Sequence, residues 1–544
     1  MNRPPTDLTT AREASRVPTT RNASRARADL LPILLAAAVG ALLAAIDLGS
    51  RSLWLDEGST FAIVSQHGAA LWHGIAGDGG NQLLYYLVMH VVIAWFGDAT
   101  WVMRLPSVIA NGLTGALVAT LALRLFPGNR RLAAAAGLLA VVSLPLVYWG
   151  QNARGYAWLV TLSVASFLAL TAILQTPAGS TPSRRAVVAY VLTTVAALYM
   201  GYDVALVIPA QLALLLIHRE RARLVIGCLA LIALLSVPLL VLAVERGSGQ
   251  LFWVTPLSWR LSGQAVLTLF SAAYVPDFHR TATTVATLIV MGLAVLAGFV
   301  LAARELLRGG TAPRRGPRER AWPLLFILTW LLVPTLVALI AYRAGEPIEL
   351  PRVTILEFPA LALLLAWLLL RPQASPLLGA AALAVILALR LLQVIPSYGV
   401  SSEPWRVATA YVLRSTPATR PACVIFYAQD GREALDYYLR ALRPGRRDPA
   451  PALRPVLPAL PWGTIRPYVE RYATLDRAQR ARVAQECPRL WLISSHAGQA
   501  NGTAQSVTNL RRGYGLQRGL ARLYAHSATR TLGWASTIHI TRLW

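Results

Sequence analysis

A chain of 544 residues with 56% hydrophobic and only 14% charged residues cannot hide its apolar surface in a soluble core. With a mean hydropathy of +0.51 it reads as a multi-spanning membrane protein. The formal net charge is +26, all of the basic excess being arginine, since the sequence contains no lysine. That excess does not point to nucleic acid, because much of it lies in short loops between apolar runs, where basic residues set topology.

The first 29 residues are polar and rich in Arg, Thr and Pro, a composition that predicts a disordered tail. The apolar run that follows is too long for a signal-peptide core and has no small-residue cleavage site, so it reads as a retained anchor. At about 20 residues per helical span, apolar runs are predicted near 30–48, 101–126, 132–149, 156–175, 186–201, 203–218, 223–244, 282–303, 321–342, 354–370 and 376–396. That makes about eleven transmembrane helices. The Arg-rich tail, GNRR (128–131), STPSRR (180–185), HRERAR (218–223) and RELLRGGTAPRRGPRER (304–320) alternate with DLGSRSLWLDEG, YWGQNARGY, YMGYD, ERGSGQLFWVTPLSWR and RAGEPIELPR. The first group is expected on the cytoplasmic side, with the N-terminus inside and the C-terminus outside.

Residues 49–100 form a large first outer loop. EGSTFAIVSQHGAALWHGIAG and NQLLYYLVMHVVIAWFG carry apolar residues at helical spacing mixed with His, Gln and Asn, which predicts amphipathic surface helices. The helical membrane region is thus expected over 30–396. After residue 397 the pattern changes. ACVIFYA, RPVLPAL, RLWLISSH and TLGWASTIHITRLW read as strands, and GREALDYYLRAL, YVERYATLDRAQRARVAQE and TAQSVTNLRRGYGLQRGLARLY as helices. Their alternation predicts an extracytoplasmic α/β domain over 397–544 with a mostly parallel sheet. Cys423 opens one strand and Cys487 precedes another, so a disulfide between them is geometrically open if the compartment is oxidising. Cys228 reads as a small core residue.

The chemistry-bearing candidates sit on the outer side. Asp56 and Glu57 in SLWLDEGS fit two readings. As an N-cap, Asp56 accepts a backbone N–H and Glu57 favours the helix dipole. As a functional pair, a carboxylate at the membrane boundary takes a proton from an acceptor hydroxyl, or the two acids hold a divalent metal. Arg154 in YWGQNARGYAW, Arg104 in WVMRLPSV and Arg352 in ELPRVTIL stand at outer ends of spans. Each fits lipid headgroups or a substrate phosphate held by the guanidinium fork. Glu357 lies about one turn beyond Arg352 and suits an ion pair with it. Asp78 reads as a glycine turn, and His67, His73 and His90 as packing or capping residues. Arg390, inside the last apolar run, needs a carboxylate or phosphate partner.

In order, these features resemble the GT-C superfamily of membrane glycosyltransferases. More narrowly, they resemble the protein-mannosyltransferase-like family (glycosyltransferase family 39 type) that includes bacterial aminoarabinose and mannose transferases. Trp54, Asp56 and Glu57 match a W-x-D-E of the first outer loop. Asp78 with Leu84, Tyr85, Tyr86 and Leu87 matches the following surface helix. Arg104, Leu105, Pro106 and Ser107 match R-L-P-S. Gln151, Ala153, Arg154 and Tyr156 match Q-x-A-R-x-Y, and Arg352 and Pro359 partly match a late element. The well-matched part covers roughly 52–160. Gly80, Asn81 and Gln82 replace a frequent His-Pro-Pro, and Val353 replaces a Tyr. The resemblance implies an inverting transferase at the outer face of a bacterial plasma membrane, taking sugar from a polyprenyl-phosphate donor. Its acceptor would be a glycan, lipid or protein. Asp56 and Glu57 would be catalytic, and Asp78, Asn81, Tyr85, Arg104, Gln151, Arg154, Tyr156 and Arg352 would bind substrate. No cofactor is implied with certainty, and a divalent metal on Asp56 and Glu57 is left open. Membrane lipids are expected as partners and nucleic acid is not. A transporter or flippase of a lipid-linked anion is the rival, favoured by Arg390. A bare membrane anchor for the α/β domain would need far fewer spans.

Overall fold

The computed structural model describes residues 18–177, 179–247, 254–272, 281–308, 317–346, 348, 350–444, 448–464, 472–498, 503–534 and 537–544. Most of the tail reading (residues 1–17) lies outside them, as do parts of the loops 247–253, 304–320 and 343–352 and of the helix predicted at 468–486. The first helix, α1 (Pro18–Ala45), already begins inside the stretch expected to be disordered.

The segment 49–100 folds into α2 (Leu55–Val64), α3 (Gly68–Gly77) and α4 (Leu83–Phe96). The span α5 (Thr100–Leu125) follows, then the pair α6 (Arg130–Val141) and α7 (Leu144–Gly150), then α8 (Tyr156–Leu174) and α9 (Arg184–Met200). A run of short helical turns over 202–221 leads into α10 (Ala222–Leu235) and α11 (Val237–Arg246). Then come α12 (Trp259–Leu269), α13 (Ala282–Arg308), α14 (Pro317–Arg343), α15 (Phe358–Leu370) and α16 (Pro376–Val394).

Every one of the eleven apolar runs falls on helix. Among the described residues, however, seven helices are long and apolar enough to cross a membrane, or up to nine if each of two bent pairs counts as one span. The difference has a geometric cause that hydropathy cannot register. Run 132–149 is α6 and α7 bent by 64°, and runs 203–218 and 223–244 belong largely to a pair bent by 118°. Helix α9 has only 17 residues. At the first bend the Leu144 N–H leaves the helical ladder and bonds the Ser271 hydroxyl at 2.8 Å. Small residues let the spans approach closely: a Cβ on Gly115 of α5 would meet the Ala36 carbonyl of α1 at 2.6 Å.

Several of the segments grouped by charge alternation also meet in space among the described residues. At one end, Arg130 pairs with Asp29 at 2.6 Å. At that end too, Arg221 donates to the carbonyls of Ser180, Thr176 and Pro177, and the Asn129 side chain reaches the Leu370 carbonyl. At the other end, Arg246 donates to the Gly77 carbonyl at 2.6 Å, Tyr202 to the Gly79 carbonyl, and Arg352 to the Tyr156 hydroxyl at 2.6 Å.

The C-terminal part contains α17 (Trp405–Arg414), β1 (Ala422–Phe426), α18 (Gly431–Leu442), β2 (Leu453–Leu457), α19 (Arg477–Glu486), β3 (Leu490–Ser494), α20 (Ala504–Ala521), β4 (Ser527–Leu532) and β5 (Ile538–Leu543). The five strands run in the order β2-β1-β3-β5-β4. β1 is parallel to both β2 and β3, whereas β5 is antiparallel to β3 and β4. The sheet is therefore mixed rather than mostly parallel. The last predicted strand spans a hairpin turn at Gly533, whose φ is +79°. Cys423 and Cys487 are joined by a disulfide, their Cα atoms 5.8 Å apart.

This domain docks on the segment 49–100 through polar contacts. The Leu53 N–H donates to the Tyr438 hydroxyl at 2.6 Å, the Ser52 N–H to the Ser401 hydroxyl at 2.9 Å, and the Ser59 hydroxyl to Glu433. α18 lies so close to α2 that a Cβ on Gly58 would come within 2.9 Å of the Ala434 backbone.

Candidate active site

Helix α2 starts at Leu55 with Trp54 as its N-cap residue. Asp56 and Glu57 thus occupy the first turn, and the capping role expected of Asp56 falls elsewhere: the Trp54 N–H bonds the Glu57 carboxylate at 3.4 Å. Successive residues on a helix point about 100° apart, and here that separates the two acids completely. Glu57 is fully buried. Its oxygens take Arg104 Nε at 2.8 Å and Nη2 at 2.7 Å and the Ala153 N–H at 2.7 Å. Arg104 spends its remaining donors on the carbonyls of Leu48, Arg51 and Ser52. Neither member of this pair has a group left for a substrate, so their expected catalytic and binding roles become structural ones. The same commitment removes Glu57 as a metal ligand. Among the described residues no three His, Cys, Asp or Glu gather as a metal set, and a divalent ion on Asp56 and Glu57 does not fit.

Asp56 faces the other way and is 22% exposed. Arg154 Nη2 lies 3.7 Å from its Oδ2. Arg154 Nη1 donates to the Tyr86 hydroxyl at 3.2 Å and to Thr60 at 3.4 Å. The Tyr86 hydroxyl in turn donates to Asp78 Oδ2 at 2.7 Å. A continuous polar line therefore runs Asp78–Tyr86–Arg154–Asp56. Asp78 is 4% exposed, and burial pushes its carboxyl up to about 7, although Arg154 and the Tyr86 hydroxyl pull the other way. The turn that carries it uses Gly79 and Gly80 with φ of +65° and +75°, and Gln82 at +60°, backbone that favours glycine. Gln82 anchors this turn by accepting the Gly155 N–H at 2.8 Å, beside Arg154.

Tyr156 lies near both guanidiniums, its ring centroid 6.0 Å from that of Arg154 and 5.4 Å from that of Arg352, and its hydroxyl accepts from Arg352. The other sequence candidates stand elsewhere. Tyr85 is buried in the core, and its neighbour Tyr86 takes the site position. Gln151 is spent on the Ile46 carbonyl at 2.6 Å. Asn81 is half-buried and its N–H closes the turn on the Asp78 carbonyl. Glu357 bonds Thr335 through N–H and hydroxyl rather than pairing with Arg352. Arg390 meets the Leu139 carbonyl and the Met291 sulfur instead of an acid. His73 and His90 bond backbone carbonyls.

The C-terminal domain adds residues that no sequence pattern singled out. His496, in the loop after β3, bonds Glu403 Oε1 at 3.1 Å. Glu403 Oε2 accepts the Leu55 N–H at 3.0 Å, one residue from Asp56. The signal available was a His at the carboxyl end of a strand, where sites on parallel sheets gather. A separate cleft of about 730 Å³ lies between α18 and the start of α5, and none of the candidate site residues lines it.

No family model and no curated protein matches the sequence. Solved structures do match. ArnT from Cupriavidus metallidurans bound to undecaprenyl phosphate has a TM-score of 0.53 at 14% identity, over 94% of this chain and 97% of its own. The Archaeoglobus fulgidus oligosaccharyltransferase tethered with an acceptor peptide containing the NVT sequon has a TM-score of 0.52 at 12% identity, over 94% and 74%. AglB from the same organism, in complex with an inhibitory peptide and a dolichol-phosphate, has a TM-score of 0.52 at 12% identity, over 90% and 72%.

Proposed function

We propose, from the GT-C fold that these likenesses show and the site it builds, that the chain is an inverting glycosyltransferase. It moves a sugar from a polyprenyl-phosphate donor to an acceptor hydroxyl, with Asp56 as general base, at the outer face of a bacterial plasma membrane. The observation that carries the reading is the division of labour in the first turn of α2: Glu57 is consumed by Arg104, while Asp56 stays partly exposed beside Arg154. That ArnT is described with undecaprenyl phosphate and AglB with a dolichol-phosphate supports a lipid-phosphate donor here.

In this mechanism the acceptor O–H gives its proton to the Asp56 carboxylate, and the oxygen attacks the sugar C1. The bond from C1 to the phosphate oxygen breaks on the opposite face, and its electron pair leaves with the polyprenyl phosphate. Arg154 and Arg352, both close to Tyr156, stabilise the charge that develops there. Asp78 and Tyr86 hold Arg154 in place. The transporter reading loses its support in this geometry. The charged candidates gather at one end of the bundle, whereas transporters place theirs near mid-membrane, and Arg390 is occupied away from them. The test is sugar transfer by Asp56→Asn in membranes, with carrier binding measured alongside. Retained binding with lost transfer fits the base; retained transfer removes it.

A further inference from the structure

Helix α2 opens with backbone donors that have no partner inside the helix. One of them, the Leu55 N–H, is satisfied from another domain: it bonds Glu403 Oε2, which also takes Trp405 Nε1 at 3.0 Å. The other oxygen of Glu403 faces His496 Nε2 at 3.1 Å, and both side chains are shielded, at 2% and 12% exposure. His496 Nδ1 and the Ser495 hydroxyl are 2.6 Å apart, so both ring nitrogens are engaged. The His496 backbone has a φ of +55°, unusual for a residue with a side chain and typical of positions held for function.

We infer that His496 is a positioning residue for the reaction: through Glu403 it fixes the first turn of α2, and so the Asp56 carboxylate, making docking of the C-terminal domain a condition of catalysis. The inference rests on the glycosyltransferase reading of Asp56. A carboxylate that takes a proton in flight must be held within a fraction of an ångström, and a misplacement of about 1 Å can cost about a hundredfold in rate. Arg104 and the Ala153 N–H hold this turn through Glu57 on one side, and Glu403 holds it at the Leu55 N–H, the residue before Asp56.

Charge supports the geometry. Burial works against a positive imidazole, but Glu403 beside it, with Asp430 and Asp56 also facing it, pushes the His496 pKa up to about 9. The ion pair is therefore complete at neutral pH. It is lost as pH rises through about 9, because the folded pKa stands above the ordinary 6.5. With no lysine in the chain, few other groups titrate in that window.

Hydrogen exchange of the Leu53–Thr60 peptide in the full chain, held in lipid nanodiscs, tests the positioning without any substrate. The expected result is strong protection at neutral pH that falls, after correction for intrinsic rates, above about pH 9. His496→Ala should exchange about tenfold faster, and His496→Arg, which keeps the cation, should stay protected at both pH values. Equal protection in all three proteins would overturn the inference, as would an alkaline loss that persists in His496→Arg. Transfer from undecaprenyl-phosphate mannose and aminoarabinose gives the second arm. The expected pattern is a lowered kcat with unchanged donor KM in His496→Ala, and recovery in His496→Arg. If Asp56→Asn transfers normally, the base assignment fails while the exchange result stands. If Asp56→Asn is dead and His496→Ala has a normal kcat, the positioning role fails alone.

Discussion

Glu57 and Arg104 exchange two hydrogen bonds with both side chains out of solvent. Removing one partner strands the other as a buried charge, which costs about 3–5 kcal/mol. Arg104→Ala and Glu57→Gln are therefore expected to lower thermal stability sharply, read by unfolding in detergent, while a role in substrate binding alone would leave stability unchanged. Asp78 carries a pH signature. Its folded pKa of about 7 is raised above the ordinary 3.8, so the stability linked to its proton is full below 3.8 and is lost as pH rises through about 7. Asp78→Asn should flatten that part of the stability–pH curve; an unchanged curve would show that Asp78 is not buried against Tyr86. At this scale the sequence was informative where a residue type had little structural excuse. Arg154 and Asp56 stood out because ionisable groups at span ends are few. It was uninformative where pairing decides the role: nothing local says that Glu57 will be consumed by Arg104, or that helix register selects Tyr86 over Tyr85. His496 and Glu403 reach Asp56 only through the tertiary fold, and no spacing near SLWLDEGS announces them.

The helices of the bundle were legible because a span must be apolar for some 20 residues, and the runs carried that signal. Their bends were not, since hydropathy reports composition along the chain and not direction. The Leu144 break depends on the Ser271 hydroxyl, far along the sequence, accepting the Leu144 N–H. The first three predicted strands fall on β1, β2 and β3, but the fourth merges the end of β4 with β5, because the turn at Gly533 between them was not read. One element contact makes a prediction. Gly58 of α2 meets α18 with no room for a side chain, and overpacking of this kind costs about 1–3 kcal/mol. Gly58→Ala should loosen the docked domain, seen as faster proteolytic release of the C-terminal part. Unchanged protease resistance would show that the two helices can separate slightly at no cost.

At the scale of the molecule, charge alternation sorted the loops into two sets, and contacts among the described residues join members of each set, Arg221 to the 176–180 turn in one and Arg352 to Tyr156 in the other. The relation between the bundle and the α/β domain was not legible, because it rests on side-chain contacts such as Leu53 to Tyr438 between distant segments. Those contacts bring the C-terminal domain to the edge of Asp56, and the account treats the two parts as one catalytic unit. The measurement that bears on it most directly is transfer of labelled sugar from a mixed set of polyprenyl-phosphate sugars by the intact protein and by Asp56→Asn in membranes. The account predicts that Asp56→Asn remains folded, binds the carrier and loses transfer by at least about a hundredfold, the usual scale for a general base. Transfer by Asp56→Asn at the wild-type rate would contradict it and reduce Asp56 to part of a helix start.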